Sequence, residues 1–316
     1  MIKLDKEDIE LLSRHSNWSE KNVEHALKTT IYSTKTDWQN FLKLVFLSLG
    51  IGFSVAGIIF FFAYNWADLH KFVKIGLIEG LIIITTLIAV FSKLQAPVKN
   101  AILTGAALLV GVLFAVFGQI YQTGANAYDF FLGWTLCISL WVVVSSFAPL
   151  WLIYIVLINT TVVLYAQQVA HDWTFLFICL LLFLINSVFL IAALFLNRTK
   201  APLKLSNWFT NTIALGSICY STIGLCYGLF ESPQLEFYIL LIVVIIAYSA
   251  AIKYGLQSKN AFYLAVIPFS VIILISALFV KISDDFGMFL FIGLFVVISV
   301  TLVIKNLINL QRSWTK

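Results

Sequence analysis

Glu79 stands eight residues into an apolar segment, in the run Lys71-Phe72-Val73-Lys74-Ile75-Gly76-Leu77-Ile78-Glu79-Gly80. At about 1.5 Å of rise per residue, a helix puts it roughly 12 Å from the segment's outer end. A carboxylate at that depth in a bilayer costs a few kcal/mol, so it should face other protein or a wet cavity. Facing a cavity, it is placed to carry a proton or hold a polar ligand. Facing Lys71, on nearly the same helix face, it forms a water-linked pair near the outer surface, which is the plainer reading. Gly76 and Gly80 make a GxxxG spacing that lets another helix come close.

Two further stretches carry polar and aromatic groups together. The first is Phe60-Phe61-Phe62-Ala63-Tyr64-Asn65-Trp66. The second is Gly118-Gln119-Ile120-Tyr121-Gln122-Thr123-Gly124-Ala125-Asn126-Ala127-Tyr128-Asp129-Phe130-Phe131-Leu132-Gly133-Trp134, which holds no basic residue. If the segments bearing them are neighbours, Asn65, Gln119, Gln122 and Asp129 form one hydrogen-bonded cluster under Tyr64, Tyr121 and Trp134. The structural version is a clasp that satisfies backbone groups near the membrane surface. The functional version is an outward-facing pocket for a small polar ligand. Loss of folding on truncating Gln119 favours the clasp, whereas loss of function at normal abundance favours the pocket.

These two stretches resemble the bacterial family of predicted membrane proteins known as domain of unknown function 2157. The resemblance rests on FFAYNW and GQIYQTGANAYDFFLGW and covers about residues 1–150. A short charged N-terminal segment before the spans is also part of the family's pattern. The resemblance implies that Tyr64, Asn65, Trp66, Gln119, Tyr121, Gln122, Asp129 and Trp134 match that pattern. It implies no activity.

The residues that would mark other chemistries are absent or badly spaced. His15, His25, His70 and His171 make no HExxH or comparable metal pattern. Cys137, Cys179, Cys219 and Cys226 sit in apolar runs and read as small hydrophobes. No nucleophile–base pair is visible, so an intramembrane enzyme is the weakest reading, and no metal or cofactor is expected. Arginine occurs only at 14, 198 and 312, with no basic patch for nucleic acid. Asn159, Thr160, Thr161, Asn186 and Ser187 are midspan polar residues suited to bonding between helices. Gly216, Gly224 and Gly228 suit close packing.

The elements that must position these groups follow from composition. Of 316 residues, 61% are hydrophobic and 11% charged, against roughly 25% charged in soluble proteins. Mean hydropathy is +0.98. The fold class expected is all-α, a polytopic membrane helical bundle. A span needs about 20 apolar residues. Ten segments qualify: 43–64, 71–92, 98–118, 130–147, 149–166, 173–196, 206–229, 235–252, 261–281 and 287–310. The fourth and fifth are separated only by Ala148-Pro149, so they read either as a tight hairpin or as one broken segment. Residues 1–42 form a charged cytoplasmic segment with two short helices, one over about 5–15 and one after Ser19, a good N-cap. No cleaved signal peptide is expected.

With both termini cytoplasmic, seventeen of the twenty Lys and Arg fall inside and only Lys71, Lys74 and Lys281 outside, as the positive-inside rule demands. Asp68, Asp129, Asp172, Glu231, Glu236, Asp284 and Asp285 fall outside, giving a net acidic outer face. Trp66, Trp134, Trp151, Trp173 and Trp208 lie near span ends, as in an aromatic belt. The placement expected is the bacterial inner membrane. The leading functional expectation is a transporter or small-molecule-binding membrane protein, using Glu79 and the outer cluster. The alternative is a non-catalytic envelope sensor or assembly factor, whose segment 1–42 binds a cytoplasmic protein or a copy of itself.

Overall fold

The computed structural model describes residues 9, 18–30, 32, 34–65, 67–122, 124–198, 205–232, 234–283 and 285–315. The helix expected over 5–15 lies, apart from Ile9, outside them. The described residues form eleven helices and no strand. They are α1 (Glu20–Thr30), α2 (Lys35–Tyr64), α3 (Lys71–Phe91), α4 (Ala96–Tyr121), α5 (Ala127–Ser145), α6 (Ala148–Gln168), α7 (Phe175–Arg198), α8 (Asn207–Phe230), α9 (Leu235–Gln257), α10 (Ala261–Ile282) and α11 (Phe286–Thr315). Ten of them, α2 to α11, are long and apolar enough to cross a membrane. The protein is therefore all-α and multi-pass, as its composition requires.

Local chemistry sets the helix ends. The Thr34 hydroxyl accepts from the Asp37 N–H at 3.2 Å, and the Asp37 carboxylate accepts from the Thr34 N–H at 2.8 Å. This capping box starts α2 at Lys35, two turns before its apolar run. At 30 residues α2 is about 45 Å long, longer than the hydrocarbon core. His70 caps α3 through Nδ1, which accepts from the Phe72 N–H at 3.4 Å. The Asn260 side chain accepts from the Phe262 N–H at 3.0 Å and opens α10. The fourth and fifth spans are separate helices. Ser146 takes the left-handed conformation (φ 52°, ψ 30°), and Pro149 lies in the first turn of α6. A proline there sacrifices no helical hydrogen bond.

The chain divides into two compact units, Met1–Val112 and Leu113–Lys316. In the first, α2, α3 and α4 line an apolar cavity of about 350 Å³ whose only side-chain polar groups are Ser54 and Thr85. Lys74 and Ile78, one turn apart on α3, are both buried. In the second unit the core runs through four helices. It comprises Leu176, Leu180 and Phe183 of α7, Ala214, Ile218 and Leu225 of α8, Leu240, Val244 and Tyr248 of α9, and Tyr263 and Ile267 of α10. A Cβ at Gly224 would lie 2.7 Å from Cys179 Cβ and 2.8 Å from Leu240 Cδ2, so the absent side chain is what lets α7, α8 and α9 approach.

Candidate functional site

In the first unit the expected site residues stand at helix ends and on open faces. Tyr64, the last residue of α2, is 89% exposed. Asn65 caps α2: its backbone N–H and its Nδ2 both donate to the Phe61 carbonyl, at 3.0 and 2.9 Å. Trp66 lies outside the described residues. Glu79 is exposed on α3 and does not line the 350 Å³ cavity. The GxxxG beside it is open, since a Cβ at Gly76 or Gly80 would meet nothing within 4 Å.

In the second unit the expected residues flank the α4–α5 turn. Gln119, Tyr121 and Gln122 are exposed, and Gln122 carries a positive φ of 42°. The Gln122 N–H donates to the Gly118 carbonyl at 3.1 Å. Gly124, with φ 68°, supplies the left-handed residue that brings the chain round. Asp129 is half-buried and stabilises the start of its own helix: its Oδ2 accepts from the Asn126 N–H at 3.1 Å. Trp134 is half-buried with its ring 6.0 Å from Phe131.

The same end holds a feature that the sequence reading missed. Gln168, at the end of α6, accepts through Oε1 from the Tyr128 N–H of α5 at 3.1 Å. Around this bond the rings of Tyr128 and Tyr165 meet edge-on at 5.1 Å, Tyr165 and Trp173 lie 5.4 Å apart, and Trp173 and Phe177 5.0 Å. The α5 start at Asp129, the α6 end at Gln168 and Trp173, two residues before α7, thus form one polar and aromatic end, with Asp172 in the turn between α6 and α7. At another end of this unit, Lys259 Nζ donates to the Trp314 carbonyl at 3.3 Å, and Asn197 exchanges two hydrogen bonds with Leu205.

Between these ends, buried polar groups pair across helices. Asn159 of α6 and Asn186 of α7 exchange amide hydrogen bonds at 3.2 and 3.0 Å. Ser187 and Ser217 lie 2.8 Å apart. Thr160 and Thr161, expected to bond between helices, instead return to the carbonyls of Val156 and Leu157 in their own helix. Deeper still, Ser221 and Thr222 of α8 meet Tyr248 of α9 and Ser270 of α10. The sequence contained a signal for this network, since Ser217 and Ser221 stand one turn apart on α8, but it could not name partners 22 to 48 residues away. Among the described residues no group of three or more His, Cys, Asp or Glu converges to hold a metal.

The fold and its polar ends define a multi-pass helical membrane protein. Residues 19–151 match the sequence model of the family described as predicted membrane protein (DUF2157), and the resemblance read from the two motifs is shown over that stretch. The match spans α1 to α5 and the first residues of α6. No curated protein and no solved structure matches the chain.

Proposed function

We propose that the protein is a transporter or small-molecule-binding membrane protein whose ligand meets the end of the second unit formed by the α4–α5 turn, the α5 start and the α6–α7 turn. The observation that supports this most directly is the Tyr128–Gln168 bond with its surrounding rings. It ties two helix ends into a fixed wall and leaves Gln119, Tyr121 and Gln122 exposed next to it. Exposed amides and aromatic faces, in a stretch (118–134) that holds no Lys or Arg, suit a polar ligand that is neutral or cationic. The distribution of bases supports placing this end on the outer side of a bacterial inner membrane, with both termini cytoplasmic. In the first unit, Glu79 is the candidate proton-carrying group. Thermal stability of the reconstituted protein, screened against amino acids, sugars and polyamines, tests the proposal. A stabilising compound should lose its effect in Gln119→Ala and Asp129→Asn. A screen with no stabilising compound, or hits indifferent to both variants, would sink it.

A second reading, an envelope sensor or assembly factor, is favoured by α1. Trp18, Val23, Leu27 and Tyr32 line a cleft of about 550 Å³ along this helix, and Trp18 and Tyr32 are exposed at 39% and 54%. Such an apolar stripe on a charged helix suits a cytoplasmic protein partner or a second copy. Deleting residues 1–30 tests it: correct insertion with loss of a co-purifying partner or of self-association supports this reading, and unchanged assembly removes it.

A further inference from the structure

Five oxygen atoms close a ring inside the second unit. The Ile218 carbonyl lies 2.9 Å from Ser221 Oγ and 2.7 Å from Thr222 Oγ1. Ser221 Oγ lies 3.0 Å from Tyr248 Oη, Tyr248 Oη 2.8 Å from Ser270 Oγ, and Ser270 Oγ 2.6 Å from Thr222 Oγ1. The four side chains are buried, with exposures of 0% for Ser221, 3% for Ser270 and 8% for Thr222 and Tyr248.

The proton count of this ring does not close. Four hydroxyls supply four protons, and the ring has five edges. Whichever way the protons are assigned, one edge sets two oxygen lone pairs against each other at 3.0 Å or less. In a buried site such an unfilled contact is costly. A cation at the centre would be met by a lone pair from each of the five oxygens, and the Ser221 and Thr222 hydroxyls, which otherwise donate to the Ile218 carbonyl, would turn away from it. The size also fits. A regular ring with these edges has its centre about 2.4 Å from each oxygen, within the roughly 2.3–2.6 Å range of calcium-sized ions bound by oxygen. The ring contains no carboxylate, so the desolvation of a divalent ion would go uncompensated. A monovalent ion of the same radius costs less. Potassium is larger and needs a wider ring. The ring also adjoins Pro268, which interrupts the hydrogen-bond ladder of α10 two residues before Ser270.

We propose that Ser221, Thr222, Tyr248, Ser270 and the Ile218 carbonyl bind a sodium-sized monovalent cation. The test is thermal unfolding of the full-length protein in nanodiscs, in NaCl, KCl or choline chloride at matched ionic strength. Sodium should raise the midpoint saturably, with at least tenfold weaker action by potassium and none by choline. Tyr248→Phe should abolish the sodium-specific rise. That variant leaves three edges for three protons, so it retains a fully satisfiable hydrogen-bond chain. Equal responses to the three salts in the wild type, or a sodium-specific rise that survives in Tyr248→Phe, would overturn the proposal. Should the variant fail to fold, ²²Na⁺ binding to the wild type decides the matter. Binding displaced by NaCl and not by KCl supports the site, and absence of displaceable binding refutes it.

Discussion

Gln168 and Tyr128 are forty residues apart in sequence, yet the side-chain oxygen of the first lies 3.1 Å from the backbone nitrogen of the second. Tyr128 is the second residue of α5, so its N–H is one of the four that a helix start leaves without an internal partner. Gln168 satisfies it from another helix. Gln168→Ala should cost about 0.5–1.5 kcal/mol in unfolding free energy. It should also speed amide exchange locally at residues 127–130. Unchanged exchange there would mean that the bond contributes nothing to the α5 start.

The Asn159–Asn186 pair calls for a double-mutant cycle. Each single change to Ala strands a buried amide, and Asn186 additionally donates to the Leu182 carbonyl at 2.8 Å. The Asn186→Ala loss should therefore exceed that of Asn159→Ala. The coupling between them should fall in the range of about 0.6–1.7 kcal/mol found for hydrogen bonds inside membranes. Additive single effects would remove the pair from the list of contributors.

Two sets of glycines should respond in opposite ways to alanine. Gly224→Ala forces a Cβ against Cys179 and Leu240 and should destabilise by about 1–3 kcal/mol, as overpacking does. Gly76→Ala and Gly80→Ala meet open space and should lie within about 0.5 kcal/mol of the wild type or gain slightly from helix propensity. A large loss at Gly76 or Gly80 in lipid, absent in monodisperse detergent, would reveal a helix seated on that face.

The ion pair of α1 gives a pH signature. Lys28 Nζ and Glu24 Oε1 lie 2.6 Å apart, one turn apart on the helix. The hydrogen bond and charge of Lys28 lower the Glu24 pKa from its ordinary 4.5, and Glu24 raises that of Lys28 above 10.5. The pair's support for α1 is thus complete between those ordinary values. It is lost as pH falls through the lowered Glu24 value, and again as pH rises through the raised Lys28 value. Both side chains are exposed, so the effect should be small and weaken with salt. Carbonyl chemical shifts of residues 24–28 across an acid titration should move with a midpoint below 4.5 in the wild type. With Lys28→Ala the midpoint should return toward 4.5.

Much of the architecture is legible in the amino-acid sequence. Apolar runs long enough to span a bilayer admit only helices there, because lipid offers the backbone no hydrogen-bond partner. Ten such runs, the helix start after Ser19 and the polar α4–α5 turn are local properties of the chain. The bounds of α2 moved to Lys35 because the Thr34–Asp37 box outweighs the end of the apolar run. The same locality explains why Ala148-Pro149 left the fourth and fifth spans ambiguous: the break depends on Ser146 adopting a left-handed backbone, which its residue type does not announce.

The partners were decided by the tertiary structure. Asp129 was recognisable as a polar group, but its carboxylate serves the Asn126 N–H of its own helix, while Gln168 arrives from α6 to serve Tyr128. Ser221, Thr222, Tyr248 and Ser270 each look ordinary in a span, where a hydroxyl can always return to its own helix. Only the packing of α8, α9 and α10 against one another brings those hydroxyls within hydrogen-bonding distance. Periodicity reports which face of a helix is buried, and it is silent on which other helix covers that face.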